Sequence, residues 1–115
     1  MCKKKWNNKC FVICSFAEPA WKIRCHNMEQ RVGSKRFFAK VNGAEAVGNY
    51  EAVSARSVLQ GYESDFIKRF KLRRAIRRCS TVYVVSNTFS NMEASLLYEY
   101  AVRKDKVIIH EEETR

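Results

Sequence analysis

Short apolar runs alternate with helix-like segments along the chain, and this alternation limits the folds that it can adopt. Each run is rich in Val, Ile, Phe or Tyr and has the length of a strand buried inside a protein. The runs cover residues 10–16, 36–41, 81–86 and 106–110. Such an order favours an α/β protein, with a three-layer sandwich around a mainly parallel sheet of four to five strands.

Three segments between these runs have helical periodicity, and they cover residues 20–31, 65–79 and 91–103. Gly33 stands where a glycine cap would end the first helix. The second helix carries the clearest apolar stripe, formed by Leu72, Ala75, Ile76 and Cys79 and extended by Ile67 and Phe70. Asn42-Gly43 marks a turn, and residues 42–62 are predicted to form a long functional loop with a short helix near 52–60.

The length of 115 residues predicts one domain, 1–115, with a basic lead-in at 1–9 and a charged tail at 111–115. No apolar run reaches the roughly 18 residues of a membrane span, and the basic start lacks a signal-peptide cleavage pattern. The five cysteines include no CxxC pair and are expected to be reduced thiols of a cytoplasmic protein. Cys25-His26 has no second pair, so no metal site is expected.

The net charge of +10 predicts an anionic partner, which could be a nucleic acid, a nucleotide or an acidic protein. The second helix concentrates this charge. Its cations could hold nucleic-acid phosphates, or they could simply form a solvated helix face. The residues concerned are Lys68, Arg69, Arg73, Arg74 and Arg77.

A ligand site is expected at the carboxyl ends of the strands, where open parallel sheets bind their ligands. The first strand ends at Ser15 and Phe16 and leads to Glu18, and the third ends at Ser86. The helix at 91–103 begins at the same edge, and its first amide groups favour phosphate.

Two glutamates of that helix are candidates for chemistry. Glu93 follows Ser90 at capping-box spacing, which gives it a structural role as an alternative. Glu99 lies six residues later on a different face, near Ser95 and Val102, and is expected to be partly buried. A partly buried carboxylate of this kind suggests a function, although an ordinary exposed helix glutamate stays open as the alternative.

From Phe70 onward the chain resembles Toll/interleukin-receptor (TIR) domains in their bacterial and related TIR-like forms. The stretch "RRAIRRCSTVYVVSNTFSNMEASLLYEY" repeats the family's order of a helix end, a strand ending in Ser, a polar turn and a helix with a glutamate. The first strand, "FVICSF", is similar to the family's first strand. The resemblance implies a flavodoxin-like sheet, and Glu99 falls next to the position of the family's catalytic glutamate.

The resemblance also implies an activity: a hydrolase or cyclase that breaks the nicotinamide–ribose N-glycosidic bond of NAD, in immune or anti-phage defence signalling. NAD would be the substrate, no cofactor is expected, and homo-oligomers or other TIR domains would be the partners. The implied catalytic residue is Glu99, with Glu93 as runner-up, and the implied substrate-binding residues are Ser15, Phe16, Glu18, Ser86 and Ser90.

One carboxylate suffices for such chemistry, since it can stabilise the oxocarbenium-like charge on the ribose. The nicotinamide of NAD leaves as a neutral molecule and needs no general acid. The same layout is similar to nucleoside deoxyribosyltransferases and related nucleotide N-glycosidases, in which Glu93 competes with Glu99. A non-catalytic module that binds anions or assembles with TIR domains is the third possibility.

Overall fold

A computed structural model describes residues 7–15, 20–41, 43–59, 64–85 and 91–111. The elements in chain order are β1 (Lys9–Ile13), α1 (Trp21–Gly33), β2 (Arg36–Val41), β3 (Ala44–Asn49), β4 (Glu51–Ser54), α2 (Ala55–Val58), α3 (Asp65–Arg78), β5 (Thr81–Val84), α4 (Met92–Arg103) and β6 (Val107–His110). None of the helices within these ranges is both long enough and apolar enough to cross a membrane.

Four of the strands form one sheet in the order β4-β1-β5-β6, and every neighbouring pair in it is parallel. Successive residues of β1 point to opposite faces. Phe11 and Ile13 join the core under α3 and α4, whereas Cys10 and Val12 join the core under α1. The predicted α/β class is confirmed, and the architecture is that of a flavodoxin-like three-layer sandwich.

The second strand of the sheet is not the one predicted. β2 pairs antiparallel with β3 in a separate two-stranded sheet, and β4 takes the place beside β1. Gly43 makes the predicted turn between β2 and β3, with a φ of 82° that favours glycine. Gly48 lets the ring of Phe37 pack on the backbone, because a Cβ there would lie 2.9 Å from that ring. The segment 42–62 therefore holds two strands and a short helix, and is not a long loop.

The three long helices are confirmed, although details of each differ from expectation. α1 continues through Gly33, and its C-cap is Ser34, whose backbone has a right-handed helical conformation with a φ of −85°. The predicted glycine cap is therefore wrong. The buried residues of α3 lie in its C-terminal half, at Leu72 and Ile76. Ile67 and Phe70, predicted to extend the stripe, are 44% and 53% exposed, so this extension of the stripe is wrong.

The segment after β6 is partly fixed to the core. Glu111 donates its backbone N–H to the carbonyl of Val84 at 2.9 Å, and its carboxylate pairs with Arg31 of α1. The first residue of the predicted tail therefore belongs to the fold, and residues 112–115 lie outside the described ranges.

Candidate functional site

The sheet has one topological switch point, between β1 and β5. From β1 the chain builds β4 on one side and then crosses to build β5 and β6 on the other. Open α/β sheets bind ligands beyond the carboxyl ends of the strands at such a point. Here the two ends are joined by a hydrogen bond of 3.0 Å from the N–H of Val85 to the carbonyl of Ile13.

The predicted substrate-binding residues belong to the segments that leave these two strand ends. Ser15 lies directly beyond β1 and is buried, with 5% of its surface exposed. Phe16 and Glu18, which follow it, are outside the described residues, as are Ser86 and Ser90 after β5. The structure therefore gives the position of Ser15 alone among the five.

The N-terminus of α4 lies beyond β5, at the same edge of the sheet. Its N-cap is Asn91, whose Oδ1 accepts a hydrogen bond of 2.9 Å from the N–H of Ala94. The capping box of Ser90 and Glu93 is therefore wrong, because the cap lies one residue later than its spacing requires. Glu93 stands in the first turn, where the helix dipole favours a carboxylate.

Glu93 is exposed and lines a small cleft between α3 and α4. The cleft has a volume of about 20 Å³ and is walled by cations of α3. Those of its residues that carry charge are Asp65, Lys68, Arg69, Arg73 and Glu93. Of the two candidate carboxylates, Glu93 is therefore the one that lies beside positive charge near the carboxyl edge of the sheet.

Glu99 is exposed, so its expected partial burial is wrong. The buried face of α4 is formed by Leu97, Tyr100 and Ala101, and Glu99 points away from it. Glu99 lines neither this small cleft nor the larger cleft beside β4. Its assignment as the catalytic residue stays a prediction from the resemblance.

The basic surface of α3 divides into two faces. Arg77 donates a hydrogen bond of 3.1 Å to the hydroxyl of Tyr100 on α4, and the guanidinium of Arg73 lies 5.4 Å from the centre of the same ring. These two arginines, predicted to hold nucleic acid, are thereby engaged with α4. Arg74 faces the other way, into a larger cleft.

Glu29 of α1 is a mostly enclosed acidic side chain, and no pattern in the sequence predicted its role. Its carboxylate accepts hydrogen bonds from Ser54 Oγ at 2.5 Å, Ser57 Oγ at 2.7 Å and an Arg56 amine at 3.2 Å. Its side chain is 10% exposed. Both oxygens are occupied, so Glu29 fastens α1 to β4 and α2 and does not offer a free base.

Cys14 and Cys25 form a second feature that the sequence did not predict. Their Sγ atoms lie 2.8 Å apart, and both residues are buried. The hydrogen bond to Cys25, together with burial, raises the pKa of Cys14, whereas the same bond lowers the pKa of Cys25.

A hydroperoxide is expected to join these two sulfurs in a disulfide. One peroxide would oxidise the two thiols, forming the S–S bond and releasing two waters from hydrogen peroxide. Cys10 and Cys79 should stay reduced, since burial raises the pKa of Cys10 to about 12 and that of Cys79 to about 11. Peptide mapping by mass spectrometry after peroxide treatment would identify the bond, and the variant Cys14→Ser should not form it. Free Cys14 and Cys25 after treatment would contradict the expectation.

Within the described ranges, no group of three or more His, Cys, Asp or Glu side chains is arranged to hold a metal ion. Cys25 is buried while His26 is exposed, so these adjacent residues of α1 point in different directions.

Comparisons with known proteins identify no relative of this chain. No protein-family model, curated protein or solved structure matches the chain. The likeness to TIR domains therefore remains a resemblance in the residues themselves.

Proposed function

We propose that the protein is a TIR-like enzyme that cleaves the nicotinamide–ribose bond of NAD to give ADP-ribose or a cyclic product, in immune or anti-phage signalling. The observation that carries this proposal is the switch point between β1 and β5, with α4 beginning beyond β5. A sheet of this order binds nucleotides at that position, and the segments at 16–19 and 86–90 leave the strands there.

The reaction requires little from the protein besides a placed carboxylate. The bond between the ribose carbon and the nicotinamide nitrogen breaks, and its electron pair neutralises the pyridinium. The ribose then carries oxocarbenium-like charge, which a nearby carboxylate stabilises. Water attacks this carbon and loses a proton to give ADP-ribose, or a nitrogen of the adenine attacks and the product is cyclic.

Glu93 and Glu99 remain the two candidates for this carboxylate. Glu93 stands in the first turn of α4, at the edge where the nucleotide would bind. Glu99 lies six residues further along, which is about 9 Å at the rise of an α-helix. The geometry supports Glu93, and the family resemblance supports Glu99.

Exposed apolar side chains support the self-association expected of a TIR-like enzyme. Phe66 and Met92 are each 79% exposed, and Phe70 is 53% exposed. Exposed apolar surface of this kind favours contact with another protein surface. Activity is therefore expected to rise more steeply than in proportion to the protein concentration.

The test is incubation of NAD with the protein at several concentrations, followed by mass spectrometry of nicotinamide and ADP-ribose. Replacement of the functional carboxylate, in Glu93→Gln or in Glu99→Gln, should lower the rate by about 10²-fold or more, on the scale of a lost transition-state contact. The matched control is Glu45→Gln, at an exposed position of β3 away from this edge. Absence of nicotinamide release at every concentration would sink the proposal.

A nucleoside deoxyribosyltransferase or nucleotide N-glycosidase is the second candidate, favoured by the position of Glu93. That family is similar to this chain in the register that gives Glu93 the catalytic role. Incubation with deoxynucleosides and with nucleotides separates the two functions, because release of a free base from these substrates without cleavage of NAD identifies the second.

A further inference from the structure

A second cleft lies beside β4, the edge strand of the sheet, where β4 faces α2 and α3. It has a volume of about 370 Å³ and is bordered by the first residues of β1 and β4, Lys9 and Glu51, and by the residue that follows α3, Cys79. These residues mark the amino ends of the strands, whereas Ser57 and Val58 of the lining belong to α2, which follows the carboxyl end of β4. The cleft shares no lining residue with the small cleft beside Glu93.

One face of α3 supplies three cations to this cleft. Lys71, Arg74 and Arg78 follow one another at spacings of three and four residues, so they share a side of the helix. Lys9 adds a fourth positive charge from β1, and Glu51 is the only acidic residue of the lining. Arg73 and Arg77 lie on the neighbouring face with Tyr100 and do not contribute.

The charge of these four cations is not offset by ion pairs. None of the ion pairs within the described part of the chain involves Lys9, Lys71, Arg74 or Arg78. The charge of Lys9 also reaches Cys79 in the lining of the cleft. Burial raises the pKa of Cys79 to about 11, and the charges of Lys106, outside the cleft, and of Lys9 oppose this rise.

The floor of the cleft is apolar. Val53, Val58 and Ala75 are half-buried side chains of its lining, and Cys79 is buried beneath them. Pockets that bind small molecules have volumes of about 300 to 1,000 Å³ and combine such apolar surface with a few charged groups. Arginine guanidinium groups bind phosphate through paired hydrogen bonds.

We infer that this cleft binds a phosphate-bearing ligand of nucleotide size. Its phosphate would lie against Arg74 and Arg78, and its planar base against Val53 and Val58. The phosphate can belong to a free nucleotide or to a nucleotide unit of a nucleic acid. This site is independent of the proposed NAD cleavage, because it shares no residue with the cleft beside Glu93 and none of its residues follows the end of β1 or β5.

The test measures binding of AMP by calorimetry and of a short fluorescein-labelled single-stranded RNA by anisotropy, with the full chain at low and moderate salt. Arg74→Glu should weaken binding by about tenfold or more, since it removes a phosphate contact and adds repulsion. Arg103→Glu, at an exposed position in the last turn of α4, makes the same change in net charge outside the cleft and should weaken it less than about twofold.

Binding of AMP that is lost in Arg74→Glu identifies a nucleotide site, and binding of RNA alone with the same loss identifies the polymer as the source of the phosphate. Equal weakening in Arg74→Glu and Arg103→Glu would overturn the inference, because the attraction would then come from the overall charge. Failure of both probes to bind would overturn it as well. Should Arg74→Glu lose its native circular dichroism, Lys71→Gln takes its place under the same criteria.

Discussion

Phe11→Ala is expected to lower the free energy of unfolding by about 3 to 5 kcal/mol. Phe11 is 1% exposed and lies in β1, one of the two strands with a neighbour on each side in the sheet. Removing a buried phenylalanine ring costs about 3 to 5 kcal/mol, from the lost transfer of the ring and the cavity left behind. The whole stability of a domain is about 5 to 15 kcal/mol, so the loss takes a large share of it.

Urea unfolding followed by circular dichroism would measure this loss as a lower midpoint at an unchanged slope. Phe66→Ala is the matched control, because the same ring is removed from a side chain that is 79% exposed, and it should change the free energy of unfolding by less than about 0.5 kcal/mol. Equal effects of the two substitutions would mean that β1 is not the centre of the core.

Glu29→Ala is expected to destabilise the fold by about 2 to 3 kcal/mol, because it removes the acceptor of a buried hydrogen-bond donor. Ser54 is 0% exposed, and its hydroxyl donates to the Glu29 carboxylate. Ser57 and Arg56 donate to the same group from the exposed side of α2. Loss of the carboxylate leaves the Ser54 hydroxyl without this acceptor in a dry environment.

A double-mutant cycle identifies the cause of this effect. Glu29→Ala combined with Ser54→Ala should be less destabilising than the sum of the two single variants, since removal of both partners leaves no buried donor without its acceptor. Glu45→Ala, on the exposed side of the hairpin, serves as the control and should have an effect within about 0.5 kcal/mol. Additive single effects would show that Glu29 and Ser54 are not coupled.

Local pattern was enough to predict most elements of the sheet and its helices. β1, β5 and β6 are apolar runs, and α3 and α4 have an apolar stripe, so each buries one side wherever it is placed. β4 escaped prediction because its four residues, Glu51–Ser54, carry little apolar signal. β2 has the composition of a strand, and nothing within it distinguishes a hairpin from a sheet strand.

For the candidate site, only its location in the sheet could be predicted from the sequence. The rule for parallel sheets identifies the carboxyl edge, and the segments at 16–19 and 86–90 follow from the ends of two strands. The N-cap was misplaced because Ser90 and Asn91 are both good caps, and only the backbone conformation selects between them. The exposure of Glu99 depends on which side of α4 meets the sheet.

The class of fold, most of the parallel core strands and the excess of positive charge could be predicted from the chain alone, because these depend on periodicity and composition. The packed structure was needed to show which cations share a cleft, that Cys14 meets Cys25, and that Glu29 is held by Ser54. Each of these depends on contacts between segments that are distant in the chain. A pattern along one segment carries no information about the partner that packing brings to it.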